Sequence, residues 1–541
     1  MLQRQTTDSR EIRFRRLFSM IAMAAEVLAT PLGIAQSQQS GSHLKESIQI
    51  TGGSITGTPT IQWTPGVRLY RGIPYAAPPV GDLRWRPPQP VIPWTGVKAA
   101  DHFGSACMQP STSTEGNAWR EGLGTFSEDC LFVNVWTPAL SADEHLPVMI
   151  FIHGGGNVRG AASENQYDGA YLAKKGVVFV SFNYRMNVFG FLAHPELTSE
   201  SEHHSSGNYA LLDQIAALQW VQNNIASFGG DPHNVMVFGH SAGSSNLSSL
   251  LASPLAHGLL ARVLLLSGVN IGRGIPLADA EKNGESYAAS LGIRSITDLR
   301  KVPAEDLLKS MPRQNGAIVD GWVLPEDVYS TFKGGKQNDV PLIIGSVAND
   351  TPAPPTAPTT SAAVPEYAKK TFGDLAQEYL NIYPSNDNQQ AVKADLDFRS
   401  NGAMANARRL ANLQVKTGKQ PVYWYLFTHT SPFPAGLIWG NKFAKDFGAY
   451  HGSEIVYVFD AFSLQDWAWR PMDLQLGDLV SSMLINFAKT GNPNGTGLPT
   501  WPAFDPNTES LLNISDHPKA EKAPFGAALD FQDKVAAIRR K

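Results

Sequence analysis

The chain of 541 residues is 43% hydrophobic and 17% charged, and it contains only two cysteines. This composition excludes an intrinsically disordered chain, a collagen-like fibre and a disulfide-dense miniprotein, because it supplies enough apolar residues for a large core. The formal net charge of −4 provides no basic excess for neutralising phosphates, which argues against a nucleic-acid partner. We therefore expect a large globular protein.

The first 35 residues are typical of an export signal. A basic stretch that includes Arg15 and Arg16 precedes a short apolar run at 17–25, and small residues at 33–35 offer a cleavage site. The run is too short and too interrupted to span a bilayer, so we expect no stable membrane association. The sequence predicts a signal peptide over 1–35 and export to the periplasm or the medium. The alternative is a disordered cytosolic tail.

The two cysteines, Cys107 and Cys130, fit an exported protein with a single disulfide. In the chain-entropy account such a bridge stabilises the fold by roughly 3 kcal/mol. Two unrelated buried thiols are the better interpretation if the chain stays in the cytosol. The cysteine spacing indicates no metal site, and the sequence has no CxxC or HExxH motif, so we predict no metal or organic cofactor.

Apolar runs alternate with helical patterns along the rest of the chain, which favours an α/β fold. Residues 148–152 and 177–182 are apolar on both faces, as in strands buried beneath two helical layers. Apolar residues recur at helical spacing over 211–228, and Gly229 and Gly230 end that pattern. Further strands are predicted at 47–51, 68–75, 131–136, 234–238, 261–266, 341–344 and 422–427.

The pentapeptide Gly239-His240-Ser241-Ala242-Gly243 lies between the predicted strand 234–238 and a predicted helix at 244–252. A GxSxG motif in this context is the nucleophile elbow of hydrolases, in which a sharp turn exposes the serine hydroxyl. The motif alone occurs often by chance, so the flanking elements carry the prediction. Ser241 is the candidate nucleophile.

Three glycines follow His153 directly after the predicted strand 148–152. Glycine backbone N–H groups approach a developing alkoxide closely, because no side chain is in the way. Gly155 and Gly156, together with the N–H group of Ala242, are therefore the predicted oxyanion hole. The alternative, a merely flexible loop, does not explain why these glycines stand at a strand end.

A serine nucleophile needs a base that is held by an acid. His451 lies in a glycine-rich turn late in the chain, which matches the order serine, acid, histidine in these hydrolases. Asp350 follows the predicted strand 341–344, at the edge of the sheet where catalytic loops collect. Three other carboxylates could take the place of the acid, namely Asp320, Glu326 and Glu454.

Beyond these residues, the chain resembles the type-B carboxylesterase family over nearly its whole mature length. The motifs that carry the resemblance are RGIPYA (71–76), SEDCL (127–131), NYR (183–185), GNYALLDQ (207–214), FGGDP (228–232), GAYHG (448–452) and NPN (492–494). The resemblance implies an α/β-hydrolase fold, a mostly parallel central sheet flanked by helices, with large loop and helical insertions around an active-site gorge. It implies a single catalytic domain over 36–541 that acts on a small-molecule ester.

The resemblance also assigns roles to individual residues. It implies a triad of Ser241, His451 and Asp350 and a bridge between Cys107 and Cys130. It further implies two structural ion pairs, which join Arg84 to Glu128 and Arg185 to Asp213. A non-catalytic binding protein and an amidase or peptidase on the same fold are the rival interpretations, and the oligomeric state is left open.

Three departures from the family pattern bear on the site. The family usually carries Glu at the acid position, whereas this chain carries the shorter Asp350. Cholinesterases carry Glu immediately before the serine, whereas this chain carries His240. Trp119 lies one residue out of register with the choline-binding Trp, so acetylcholine is not the expected substrate, although His240 and Trp119 remain candidate substrate contacts.

The third departure is Arg159, which follows the oxyanion glycines where the family more often has aromatic or small residues. An arginine there could bind a carboxylate on the acyl group in a bidentate manner. The sequence thus suggests a bulky ester with an anionic acyl part, such as a tricarballylate-type toxin ester. The alternative is an outward arginine or one paired with Glu164 or Asp168.

Overall fold

A computed structural model of the chain describes residues 44–59, 64–110, 122–310, 316–350, 356–434, 438–439, 442–443 and 448–540. The predicted signal peptide over 1–35 lies outside these residues, so export and the 36–541 domain boundary stay predictions. The described residues all belong to one compact unit, Ser42–Lys541.

The strands of the described residues follow the chain from residue 47 to residue 522. In chain order they are β1 (Ser47–Ile50), β2 (Gly53–Thr56), β3 (Thr58–Pro59), β4 (Arg68–Pro74), β5 (Val97–Ala99), β6 (Ala106–Cys107), β7 (Phe126–Ser127), β8 (Phe132–Thr137), β9 (Leu146–Ile152), β10 (Val178–Phe182), β11 (Gly230–His240), β12 (Arg262–Leu266), β13 (Ile275–Pro276), β14 (Ile318–Val319), β15 (Leu342–Val347), β16 (Val422–Phe427), β17 (Ile438–Trp439), β18 (Lys442–Phe443), β19 (Ser510–Ile514) and β20 (Lys519–Lys522).

The α-helices lie between these strands and, in the second half of the chain, form longer insertions. In chain order they are α1 (Ala170–Lys174), α2 (Asn187–Phe191), α3 (Pro195–Glu200), α4 (Tyr209–Asn224), α5 (Ala242–Ala252), α6 (Leu277–Ser290), α7 (Ile296–Leu299), α8 (Ala304–Leu308), α9 (Val328–Lys333), α10 (Val364–Phe372), α11 (Ala376–Ile382), α12 (Asn388–Thr417), α13 (Ile455–Phe459), α14 (Pro471–Thr490) and α15 (Gly526–Arg540). None of the described helices combines the length and the apolar character needed to cross a lipid bilayer.

An eleven-stranded sheet forms the centre of the fold, in the order β20-β19-β16-β15-β12-β11-β9-β10-β8-β4-β3. The seven strands from β19 to β10 in that order are parallel to their neighbours, and the strands at both ends of the sheet pair antiparallel. The predicted mostly parallel sheet of an α/β-hydrolase is confirmed.

Strand β9 explains why the sheet is covered on both faces. Val148, Ile150 and Ile152 pack into one hydrophobic cluster together with residues of α4, α5 and α12. The alternate residues, Met149 and Phe151, pack into a second cluster with residues of α13 and α14. Successive side chains of a strand point to opposite faces, so a strand that is apolar at every position needs helices on both sides.

Two predicted helix boundaries shift for local reasons. Helix α4 begins at Tyr209 and ends at Asn224, and a 3-10 turn over Ile225–Phe228 continues it. Gly229 then ends the pattern in the left-handed conformation, with φ 79°, which glycine adopts without steric cost. Helix α5 begins at Ala242 rather than at residue 244, because the helix follows the turn at Ser241 without any intervening loop.

The covalent and ionic links implied by the family resemblance are confirmed. Cys107 and Cys130 form a disulfide. The guanidinium of Arg84 donates from Nε to Glu128 at 2.7 Å.

Arg185 and Asp213 form a second ion pair, which is almost completely buried. Arg185 donates to the Asp213 carboxylate from Nε at 2.8 Å, from Nη2 at 2.7 Å and from its backbone N–H at 3.0 Å. The pair ties the loop after β10 to the first half of α4. A buried charge of this kind depends on its partner, because neither group retains its water shell.

We predict that Asp213→Asn lowers the free energy of unfolding by about 3–5 kcal/mol, because it leaves a buried guanidinium without its counter-charge. Urea unfolding followed by tryptophan fluorescence measures the change. Asp279→Asn is the matched control, since Asp279 forms an exposed pair with Lys282 and its loss should cost no more than about 0.5 kcal/mol. Equally small changes in both variants would contradict the role assigned to the buried pair.

Candidate active site

Ser241 lies at the sharp turn between β11 and α5. Its backbone has φ 57° and ψ −121°, a conformation that residues other than glycine rarely adopt. The turn is held by its neighbours, since Ser241 donates its N–H to the carbonyl of Leu266 at 3.0 Å and accepts from the N–H of Ser245 at 3.0 Å. The side chain of Ser241 is thereby presented at the carboxyl edge of the sheet.

The two glycines of the GxSxG motif are required by close contacts at this turn. A Cβ atom on Gly239 would lie 2.6 Å from the carbonyl oxygen of Gly243, and one on Gly243 would lie 2.7 Å from the carbonyl oxygen of His153. Side chains at either position would therefore push the helix away from the strand ends. The glycines act by allowing this close approach, since neither of them has a positive φ.

His451 bridges Ser241 and Asp350. Its Nε2 lies 2.8 Å from Ser241 Oγ, and its Nδ1 lies 2.8 Å from Asp350 Oδ1. The shorter aspartate thus reaches the imidazole at an ordinary hydrogen-bond distance. Three side chains that are far apart in the sequence form one continuous hydrogen-bonded row.

The loop that carries Asp350 and the loop that carries His451 pair with each other through the residues that immediately precede these two side chains. Asn349 and Tyr450 form a parallel β-bridge. The N–H of Asn349 donates to the carbonyl of Ala449 at 2.9 Å, and the N–H of Ala449 donates to Asn349 Oδ1 at 3.1 Å. This pairing fixes the register of the two loops, so Asp350 and His451 face each other.

The electrostatics of the row favour a charged imidazole. Burial lowers the pKa of His451, but the negative charge and the hydrogen bond of Asp350, together with the charge of Glu454, outweigh it and raise the pKa above its ordinary value of 6.5. Burial also raises the pKa of Asp350 above 3.8, although His451 and Ser267 act in the opposite direction. The carboxylate therefore stabilises the imidazolium that forms when His451 accepts a proton.

Glu454, one of the rival acids, lies beside this row but binds other groups. It accepts hydrogen bonds from Ser267 Oγ at 2.6 Å and from the Tyr425 hydroxyl at 2.7 Å. Burial raises the pKa of Glu454 to about 7, against the opposing effect of these two hydrogen bonds. The sequence pattern alone did not indicate Ser267 or Tyr425, because neither belongs to a recognisable local motif.

The other two rival acids have structural partners. Asp320 accepts from Ser205 Oγ at 2.6 Å and from the backbone N–H of Leu324 at 2.9 Å. Glu326 accepts from the ammonium of Lys336 at the exposed surface. Of the four candidate carboxylates, Asp350 is the one that the structure brings to Nδ1 of His451.

The predicted oxyanion donors lie on the loop after β9 and at the start of α5. Gly155 and Gly156 have φ 108° and φ 68°, and no acceptor within the described residues takes their N–H groups. A Cβ atom on Gly154 would lie 2.9 Å from Cβ of Ser241, so the glycine loop begins directly against the nucleophile. Ala242 is the first residue of α5, where backbone N–H groups have no intrahelical acceptor.

Of the three candidate substrate contacts, the structure describes two, which have different surroundings. The His240 ring is buried against the ring of His451, with centroids 4.7 Å apart. Arg159 is half-buried, and its backbone N–H donates to the carbonyl of Gly155 at 3.2 Å. Trp119 lies outside the described residues. Contact of these three residues with substrate stays a prediction.

The described part of the chain contains no group of three or more His, Cys, Asp or Glu side chains arranged to hold a metal ion.

Comparison of the chain with known proteins shows the family to which it belongs. The model of the Carboxylesterase family matches residues 45–532. The chain is 36% identical to the Fumonisin B1 esterase of Sphingopyxis macrogoltabida over 472 residues, which cover 82% of this chain and 83% of that protein. It is 36% identical to the para-nitrobenzyl esterase of Bacillus subtilis (strain 168) over 491 residues, which cover 84% and 94% of the two chains.

Solved structures agree with the sequence relatives. A PNB esterase structure superposes with a TM-score of 0.75 at 31% identity, covering 90% of this chain and 99% of that one. The chain belongs to the type-B carboxylesterase family and is an ester hydrolase.

Proposed function

We propose that the chain hydrolyses carboxylic esters through an acyl-enzyme on Ser241, with His451 as the general base and Asp350 as the acid that orients it. The observation that carries the proposal is the continuous hydrogen-bonded row from Ser241 Oγ through both ring nitrogens of His451 to Asp350, with 2.8 Å at each step. A serine, a base and an orienting acid in this arrangement are the requirements for nucleophilic catalysis by a hydroxyl group.

In the first half of the reaction, Ser241 Oγ attacks the ester carbonyl carbon while His451 Nε2 accepts the hydroxyl proton. The carbonyl oxygen becomes an oxyanion, and the N–H groups of Gly155, Gly156 and Ala242 are the donors proposed to receive it. Collapse of the tetrahedral intermediate breaks the bond to the alcohol oxygen, which takes the proton from His451 as it leaves. The acyl group remains on Ser241.

In the second half, a water molecule attacks the acyl carbonyl and gives its proton to His451. The same donors hold the second oxyanion, the carboxylic acid leaves, and Ser241 regains its proton from His451. Esters are favoured over amides because an alcohol is the better leaving group. A non-catalytic binding role is disfavoured, since such a role requires neither the hydrogen-bonded row nor the strained backbone of Ser241.

We predict that Ser241→Ala lowers kcat for a para-nitrophenyl ester by roughly 10⁶-fold, because the nucleophile is removed. Steady-state hydrolysis, together with labelling of the wild type by an organophosphate, measures the effect. Ser286→Ala, at an exposed position of α6, is the control and should keep wild-type kcat. Activity retained in Ser241→Ala would refute the proposed nucleophile.

The pH dependence of kcat/KM should rise through the pKa of His451, since only the neutral imidazole can accept the serine proton. Asp350 raises that pKa, so Asp350→Asn should move the midpoint to lower pH and reduce kcat by roughly 10⁴-fold. Asp350→Glu, which keeps the charge, should retain most of the activity and a midpoint above that of Asp350→Asn. Identical pH profiles for wild type and Asp350→Asn would contradict the role of the acid.

We further propose that the substrate is a bulky ester whose acyl part carries free carboxylates, such as a tricarballylate-type toxin ester. Two observations support this narrower proposal. Arg159 is half-buried and hydrogen-bonded through its backbone to Gly155, four residues after that first proposed oxyanion donor. A relative at 36% identity is named Fumonisin B1 esterase.

Arg159→Ala tests the carboxylate preference with two esters of one alcohol, whose acyl groups differ only by a free carboxylate. Loss of a charge-assisted hydrogen bond should cost about 1.5–3 kcal/mol, so kcat/KM for the anionic ester should fall by roughly 10- to 100-fold. The neutral ester should be hydrolysed at the wild-type rate. An equal loss on both esters would reject the anionic acyl group as the feature that Arg159 recognises.

A further inference from the structure

The glycines of the glycine loop, residues 153–160, have no side chains that could hold the loop in place. Gly156 is exposed, and a Cβ atom placed on it would contact nothing within 4 Å. The start of the loop is fixed, because Gly154 packs closely against the turn at Ser241. The part of the loop after the glycines needs a separate attachment if Gly155 and Gly156 are to keep a fixed position.

Asn157 supplies that attachment directly after the glycines. It is buried, with 4% of its surface exposed, and it has φ 57°. Asparagine is among the few residues other than glycine that tolerate this left-handed conformation. The backbone carbonyl of Asn157 accepts a hydrogen bond from the N–H of Asn187 at 2.6 Å.

The side chain of Asn157 forms a reciprocal amide pair with Asn246. Asn157 Nδ2 donates to Asn246 Oδ1 at 3.1 Å, and Asn246 Nδ2 donates to Asn157 Oδ1 at 2.9 Å. Asn246 is also buried, with 2% of its surface exposed. A buried amide that lost its partner would leave a donor and an acceptor unsatisfied, so each side chain fixes the other.

Asn246 belongs to α5, the helix that begins immediately after Ser241. The amide pair therefore joins the loop that carries Gly155 and Gly156 to the helix that carries Ala242. Gln109 also holds this loop, with two hydrogen bonds to Gly160, but Gln109 lies outside α5. Of the amide side chains that hold the loop within the described residues, Asn246 is the one located on the nucleophile helix.

We propose that Asn246 is a positioning residue for the oxyanion hole, which it aligns with Ser241 through its amide pair with Asn157. The inference rests on the proposed function, since it concerns the same tetrahedral intermediate. Oxyanion donors must lie within about 2.7–3.1 Å of the developing charge, and a misplacement of about 1 Å can cost roughly 100-fold in rate. Loss of the amide pair should thus weaken transition-state binding and leave ground-state binding nearly unchanged.

The experiment uses Asn246→Ala, Asn157→Gly and the double variant in the full chain. Asn157→Gly keeps the left-handed backbone accessible and removes only the amide, so it separates the pair from backbone strain. A trifluoromethyl ketone, which forms an oxyanionic adduct with a serine, serves as the transition-state analogue, and the matching methyl ketone serves as the ground-state analogue. Hydrolysis of a para-nitrophenyl ester gives kcat and KM, and thermal melting checks that each variant is folded.

We expect each single variant to lower kcat by about 10- to 100-fold and to raise the Ki of the trifluoromethyl ketone by the same factor. KM and the Ki of the methyl ketone should change by less than about threefold. The double variant should be no worse than the single variants, because each of them already breaks the pair.

Asn338→Ala is the matched control. Asn338 donates to the carbonyls of Leu250, Leu251 and Ser253 at the other end of α5. Its loss should lower the melting temperature and leave kcat and the Ki of the trifluoromethyl ketone at wild-type values.

The inference is overturned if Asn246→Ala and Asn157→Gly melt at lower temperature but keep wild-type kcat and trifluoromethyl ketone affinity. It is also overturned if both ketones weaken equally. If Asn246→Ala does not fold, Asn157→Gly carries the test alone. Ser241→Ala is measured in parallel. An active Ser241→Ala variant would refute the proposed function. An inactive Ser241→Ala variant, combined with wild-type kcat and ketone affinity in the Asn246 and Asn157 variants, would refute only this inference.

Discussion

The hydrogen bond between His451 and Asp350 is the interaction on which the site depends, because it joins the side chains of two loops whose backbones are paired at Asn349 and Tyr450. Strands β15, β12, β11 and β9 are neighbours in that sheet, and the parallel pairing aligns their carboxyl ends. Ser241 follows β11, the glycine loop follows β9, and Asp350 follows β15. Parallel pairing thus places these groups at the carboxyl edge of the sheet, and the Asn349–Tyr450 bridge holds the loop of His451 at the same edge.

The site is surrounded by buried polar groups, each of which has to be satisfied by a specific partner. Glu454 is bound by Ser267 and Tyr425, and Asn157 is bound by Asn246. Apolar residues that filled the same volume as these polar groups would often give a fold of equal or greater stability. Such networks have a different advantage, since a hydrogen-bonded pair tolerates only small displacements. The proposed catalytic row, with its 2.8 Å contacts, requires that precision.

The turn at Ser241 has a strained backbone that the surrounding structure must stabilise. The left-handed backbone there costs on the order of 1–3 kcal/mol, and residues on several elements hold it in place. Gly239 and Gly243 permit the close approach of helix and strands that makes this turn possible, and hydrogen bonds to Leu266 and Ser245 maintain it. The arrangement places the Ser241 hydroxyl within hydrogen-bond distance of His451, directly before the first residue of α5.

Local patterns in the sequence were sufficient for the fold class, the sharp turn at Ser241 and, with the family resemblance, the Cys107–Cys130 disulfide. These features depend on short motifs or on periodicity, which a linear chain displays directly. The sequence left Asp320, Glu326 and Glu454 open as rivals, although the family resemblance already implied Asp350. The hydrogen bond of Asp350 to His451 and the pairing of Asn157 with Asn246 were shown only by the tertiary structure. Both depend on which loops the strand order brings together, and contacts between residues that are distant in the chain leave no periodic trace in a single sequence.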